Sequence, residues 1–208
     1  MTPAPAPLKV GAVLFEGFEL LDVFGPLEMF GLLEPASEIS MLAAEPGSIR
    51  SNQGPRCLAD VALGDSAALD VLLVPGGIGT RRLLGDPAFL GSLARRAASA
   101  RIVASVCTGS ALLAMAGLLD GRRATTNKRV FKLLTPLAPK VQWVAEARWV
   151  EDGRFFTSSG VSAGMDMALA VISHLVGREA SLGAANRAEY EWHEDKDSDP
   201  FAKLNGLA

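Results

Sequence analysis

Ile102-Val103-Ala104-Ser105-Val106-Cys107-Thr108-Gly109-Ser110-Ala111-Leu112-Leu113 is the stretch on which the reading of this chain turns. Residues 102–106 suit a strand buried on both faces, and residues 110–119 form an Ala/Leu-rich segment expected to be a helix. Only a few residues separate the two, so the junction reads as the tight turn of a β–α unit. The same alternation recurs on either side. Residues 9–15, 39–43 and 70–74 read as further strands, with others around 141–144 and over 148–158, the latter turning at Asp152-Gly153. Residues 87–100, 127–136, 163–176 and 178–191 read as helices. Between Phe18 and Leu33 the spacing is interrupted by Gly25-Pro26, which predicts a loop and then a helix beginning near Pro26. The Gly- and Pro-rich stretch from Pro46 to Pro55 reads as a turn at a sheet edge. Repeated β–α alternation with apolar strands predicts an α/β fold: a doubly wound, mostly parallel sheet with helices on both faces.

Composition narrows the function classes. The chain has 208 residues, 49% of them hydrophobic and 21% charged, which suits one globular domain. Residues 1–8 read as a flexible Pro/Ala lead, 9–192 as the domain and 193–208 as a C-terminal tail. The net charge is -3 and no Lys/Arg stripe is present, so a nucleic-acid partner is not expected. No apolar run reaches the roughly 18 residues needed to span a bilayer, and no signal peptide is evident. No membrane partner is therefore expected, and the expected location is cytoplasmic. In that compartment the two cysteines, Cys57 and Cys107, are expected to be reduced.

In a doubly wound sheet, ligands sit beyond the carboxyl ends of the strands. Three segments interrupt their strands there. At Cys107 the strand-to-helix turn parallels the elbow that presents a nucleophile in hydrolases. A helix N-terminus would lower the thiol pKa, although a buried structural cysteine fits the turn about equally well. Pro75-Gly76-Gly77 brings backbone N–H groups close to a ligand. The amides of Gly77 and Thr108 would then form an oxyanion hole, unless the glycines simply serve a plain turn. Asp22 is flanked by apolar residues, which raise a carboxyl pKa and suit a general acid or base. Spacing alone favours Asp22 as a helix N-cap, with Glu16 and Glu19 facing solvent. Cys57 reads as structural, His174 as a packing or surface residue, and His193 as part of a solvated or dimer-contact acidic segment. No cofactor or metal is implied.

Together, Leu21-Asp22 with Gly25-Pro26, Val74-Pro75-Gly76-Gly77 and Ser105-Val106-Cys107-Thr108-Gly109-Ser110 resemble the ThiJ/PfpI superfamily. Residues 118–126 and 157–166 extend the likeness, which covers about residues 10–190. It is most similar to the isocyanide (isonitrile) hydratase branch and its AraC-regulator-like relatives. The resemblance implies a flavodoxin-like, class I glutamine amidotransferase-like fold, a homodimer, a reactive cysteine at Cys107 and a carboxyl partner at Asp22. Aspartate rather than the commoner glutamate is what the hydratase branch carries. Two positions depart from the wider pattern: Thr108 stands where amidase-like members have His, and Asn127 stands where glyoxalase-like members and the hydratase branch have His. The expected function is hydration of a small isocyanide to an N-substituted formamide. Cys107 forms a thioimidate and Asp22 is the acid/base; Thr108, Gly76 and Gly77 hold the reacting centre, and Asn127, Ser159, Gly160 and Val161 line the site. The alternatives are a glyoxalase- or amidase-like hydrolase, or a non-enzymatic redox- or ligand-sensing member. No DNA-binding helices are expected after residue 208, so a complete AraC-like regulator is not.

Overall fold

Seven strands form the central sheet of the computed structural model, which describes residues 6–207. The first five residues of the expected N-terminal lead lie outside that range. In chain order the elements are β1 (Lys9–Val13), α1 (Leu20–Gly31), β2 (Glu38–Ala43), β3 (Gly47–Arg50), β4 (Arg56–Ala59), β5 (Val61–Ala62) and β6 (Leu69–Val74). Then come α2 (Thr80–Leu83), α3 (Pro87–Ala98), β7 (Ala100–Ser105), α4 (Gly109–Met115), β8 (Arg123–Ala124), α5 (Phe131–Leu134) and β9 (Gln142–Trp143). The chain finishes with β10 (Trp149–Asp152), β11 (Phe155–Ser158), α6 (Ala163–Leu175), α7 (Arg178–Arg187) and α8 (Pro200–Leu204).

The sheet order is β10-β11-β7-β6-β1-β2-β5. Every pairing is parallel except the β10–β11 hairpin at the edge. This is the expected fold: a mostly parallel sheet with helices around it. The central strands β1 and β6 are apolar on both faces, as covered parallel strands must be, and Val10, Ala12, Val71, Leu72, Leu73 and Val74 are fully buried. Each buried Val or Leu contributes roughly 1.5–3 kcal/mol. Helices α1, α6 and α7 pack on one another, while α3 and α2 pack on α4. Chain order reverses at β1, which lies between β2 and β6. The crevice beyond the carboxyl ends of β1, β6 and β7 is therefore the expected ligand site.

Four local expectations are corrected. Helix α1 starts at Leu20 and carries Pro26 inside it, whereas Gly25-Pro26 had predicted a start near Pro26. A proline there costs the helix one backbone hydrogen bond, and burial of Val23, Leu27, Met29 and Phe30 outweighs that loss. Helix α4 stops at Met115, short of residue 119, because Gly117 turns into the left-handed region at φ 75°. Residues 128–137 are a 3-10 turn, the short α5 and a second 3-10 turn rather than one helix, with Pro136 preventing continuation. The 46–55 stretch is not a plain edge turn. It contributes β3, paired antiparallel with β4, and its tip reaches the loop before α1, where Asn52 N donates to Phe18 O at 2.7 Å.

Candidate functional site

Three strand ends supply the site. After β1 the chain loops into α1 and puts Asp22 in that helix's first turn, fully buried. Asp22 is not the N-cap that spacing had favoured: Glu19 occupies that position, without a side-chain cap. Its Oδ2 instead accepts from Gly76 N at 2.8 Å, across to the end of β6. Gly76 has no room for a side chain, since a Cβ would sit 2.5 Å from Thr108 Oγ1 and 2.9 Å from Cys107 Cβ. Gly109 is equally constrained, with a Cβ placed 2.2 Å from Val74 O. These two close approaches bring β6, the cysteine turn and α4 together.

Cys107 follows β7 at the elbow with φ 57°, a left-handed conformation that costs a non-glycine residue about 1–3 kcal/mol. The turn is held from several sides. Cys107 N donates to Ser159 O at 2.9 Å, and Thr126 Oγ1 and Ser110 Oγ donate to Cys107 O at 3.0 and 3.2 Å. The sulfur accepts from Asn127 Nδ2 at 3.1 Å and faces the Thr108 N–H. The side chain is 7% exposed and opens into a cleft of about 350 Å³, whose walls include Gly77, Ile78, Thr108, Asn127 and Leu134. Larger cavities of about 440 and 710 Å³ lie elsewhere and touch none of the candidate residues; chemistry, not size, identifies the site.

Electrostatics couple the two reactive groups. Burial raises the Asp22 carboxyl from 3.8 to about 7, against the lowering effect of Gly76 N–H; the Glu19 charge raises it further, and the Cys107 thiol lowers it slightly. Asp22 Oδ1 is buried without a hydrogen-bond partner, and the nearby Cys107 thiol acts on the carboxyl electrostatically. Cys107 is pushed up to about 12 by burial and by the Asp22 charge, which outweigh the Asn127 and Thr108 donors. A lowered thiol pKa was expected from the helix N-terminus; burial and the Asp22 charge raise it instead. The sulfur is therefore held as a thiol, and its neighbouring acid is half-ionised near neutral pH.

The structure gathers Asp22, Gly76, Cys107, Thr108 and Asn127 around the sulfur. Gly77 lines the cleft, but its N–H already donates to Thr108 Oγ1 at 3.1 Å, so the Gly77 and Thr108 amides are not free as a pair. Ser159, Gly160 and Val161 stand behind Asn127 and line a neighbouring pocket of about 190 Å³. His174 pairs with Glu151 at 3.3 Å, and His193 lies in the C-terminal segment; neither lines the cleft. Glu19, read as solvent-facing, is half-buried in the cleft wall and accepts from Asn52 Nδ2 at 3.3 Å and from Gln53 Nε2. Asn52, Gln53 and Lys128 went unsingled in the sequence, since no motif marks polar residues brought in by a distant loop. Among the described residues no three His, Cys, Asp or Glu side chains are placed to hold a metal ion, and no helix is long and apolar enough to cross a membrane.

Comparison with known proteins agrees with this fold. The model of the DJ-1/PfpI family matches residues 8–174. The chain is 36% identical to an isonitrile hydratase of Pseudomonas putida over 88% of its own length and 78% of that protein's. It is 29% identical to the transcriptional regulator GbdR of Pseudomonas aeruginosa, covering 89% of this chain and 51% of the regulator. The crystal structure of a ThiJ/PfpI family protein from Pseudomonas syringae superposes with a TM-score of 0.82 at 30% identity, covering 95% of this chain and 78% of that one.

Proposed function

The chain belongs to the DJ-1/PfpI family, and on that premise we propose that it hydrates a small isocyanide to the N-substituted formamide. One observation carries the reading: a buried carboxyl with a pKa of about 7 lies against a thiol, with an amide on the sulfur and no histidine lining the cleft. The likeness to isonitrile hydratase supports it.

The isocyanide enters with its terminal carbon at Cys107 Sγ. As the S–C bond forms, the thiol proton passes to the Asp22 carboxylate, while Asn127 Nδ2 and Thr108 N–H stabilise the charge on sulfur. Protonated Asp22 then gives that proton to the same carbon, leaving a thioimidate, Cys–S–CH=N–R. Asp22, ionised again, takes a proton from water as the oxygen adds to the carbon, and the substrate nitrogen receives it. Collapse breaks the S–C bond, the carbinol proton returns to sulfur through Asp22, and the formamide leaves. One water is consumed and no electron changes hands. Gly76 orients Asp22 through its N–H, and Gly77 holds Thr108. The reading also includes a cytoplasmic location and a homodimer, the latter supported by Leu21 and Phe24, which are exposed at 39% and 42% on α1.

The test is to mix the protein with a small alkyl isocyanide and measure formamide, with Cys107→Ala and Asp22→Asn alongside. Formamide from the unsubstituted chain alone, and a thioimidate adduct on Cys107 by mass, are expected. Absence of formamide, or equal turnover by Cys107→Ala, overturns the proposal.

A further inference from the structure

Lys128 is 3% exposed, an unusual place for an ammonium, and the chemistry above does not use it. Its Nζ donates to Thr125 Oγ1 at 2.7 Å and to Ala147 O at 2.6 Å. Thr125 in turn donates to Val144 O at 2.7 Å, and its N–H donates to Thr157 Oγ1 at 2.9 Å. The two residues between are the ones that grip the elbow: Thr126 on the cysteine carbonyl and Asn127 on the sulfur. Four consecutive side chains are therefore shared between the reactive turn and the wall formed by residues 144–147. Burial lowers the Lys128 pKa to about 8, and the carboxylate of Asp199 opposes that shift.

Asp199 belongs to the last segment of the chain. It caps α8 through Phe201 N at 3.0 Å, its own N–H donates to Glu146 O at 2.8 Å, and it is 5% exposed. Its Oδ2 is buried without a hydrogen-bond partner, so its charge is balanced only through space. The same segment is pinned upstream: Arg148 N donates to Lys196 O at 2.8 Å, and Asp166 accepts from Tyr190 Oη and from His193 N at 3.0 and 2.9 Å.

We propose that Lys128 is a positioning residue that holds the Asn127 amide on the Cys107 sulfur, and that Asp199 of the C-terminal segment, tied to Glu146 O beside the Ala147 carbonyl that Lys128 holds, supports that arrangement. The inference rests on the reading of Cys107 as the reactive group, but its test does not require the substrate to be an isocyanide. Without the ammonium, the 125–128 loop loses its tie to Ala147 O and the bond that fixes Thr125, whose hydroxyl reaches Val144 O, and the amide no longer meets the sulfur at fixed distance. A hydrogen bond to a charged group is worth enough to change the thiolate fraction about tenfold. The higher nucleophilicity of the more basic thiolate returns part of this, leaving a net fall of about threefold in thiol reactivity.

The experiment is a double-mutant cycle on the full-length protein, reading the rate of Cys107 alkylation by iodoacetamide at one pH, in a Cys57→Ser background. Circular dichroism confirms that each variant is folded. Lys128→Met and Asn127→Ala should each slow alkylation about threefold, and the double variant should be no slower than either, because both act on one contact. A merely structural lysine would lower the melting temperature and leave the alkylation rate unchanged. That result, or slowing that multiplies with Asn127→Ala, overturns the proposal. If Lys128→Met does not fold, Asp199→Asn takes its place in the cycle, and the same two results support or overturn the proposal. Failure of isocyanide turnover with an intact cycle would remove the substrate assignment and leave this inference standing.

Discussion

Asp22→Asn should change how the stability of the protein depends on pH, in a direction opposite to that of an ordinary carboxylate. A salt-bridged aspartate has a depressed pKa, and its stabilisation disappears as pH falls. Asp22 is the reverse: burial raises its folded pKa from 3.8 to about 7. Between those values the folded state holds a proton that the unfolded state has lost, so the contribution is full below about pH 4 and is lost as pH rises through about 7. At about 1.36 kcal/mol per pKa unit, the interval corresponds to ~4 kcal/mol. Other groups titrate over the same range, so the observable is a difference of differences. Urea unfolding of the unsubstituted protein and of Asp22→Asn is measured at half-unit steps from pH 4 to pH 8. The asparagine variant should gain stability relative to the parent by several kcal/mol across that interval, with the midpoint of the gain between the two pKa values and a plateau above 7.5. Lys128, with a folded pKa of about 8, titrates at the top of this window in both proteins alike and cancels in the difference. Parallel curves for the two proteins would refute the claim that this carboxyl is buried and half-ionised at neutral pH.

The pH–rate profile should follow from the same values. Because ionised Asp22 accepts the thiol proton, kcat/KM for an isocyanide should rise through an apparent pKa near 7. It should show no further rise up to pH 10, since Cys107 ionises only at about 12; a second rise near pH 8 or 9 would show a free thiolate instead. Asn127→Ala should lower kcat about tenfold with KM little changed, as expected for a hydrogen bond that strengthens on charged sulfur. Steady-state kinetics check this. Gly76→Ala should cost more than 2 kcal/mol in urea melts and abolish turnover, because its Cβ would press on Thr108 and Cys107 at 2.5–2.9 Å. Phe24→Glu should convert a homodimer to monomers in sedimentation equilibrium, and an unchanged mass would place the interface away from α1.

The sheet was legible because parallel strands buried on both faces leave continuous apolar runs. The elbow was legible for a related reason: so short a connection from strand to helix leaves the intervening residue a strained conformation, seen at φ 57°. Where reading failed, tertiary packing outweighed local preference. Gly25-Pro26 looks like a helix start, yet Gly25 lies close to α6, where a Cβ would meet Met165 Cγ at 2.8 Å. Helix α1 keeps its proline because its apolar face is buried. The partners of Glu19 could not be read at all: Asn52 and Gln53 come from a loop more than thirty residues away, and contacts of that range leave no periodic trace.

The reversed sign of the cysteine pKa bears most directly on the chemistry. Helix dipole arguments anticipate a thiolate, but a sulfur that is 7% exposed beside a carboxyl is held as a thiol. Hydrolysis of the Cys-His kind calls for a thiolate formed in advance and a histidine that protonates the leaving group, and no histidine lines this cleft. Addition to an isocyanide makes neither demand. Its terminal carbon takes up both the sulfur and the proton that the sulfur gives up. A thiol and a carboxylate of intermediate pKa, which pass one proton between them, are sufficient, and Asp22 supplies that carboxylate.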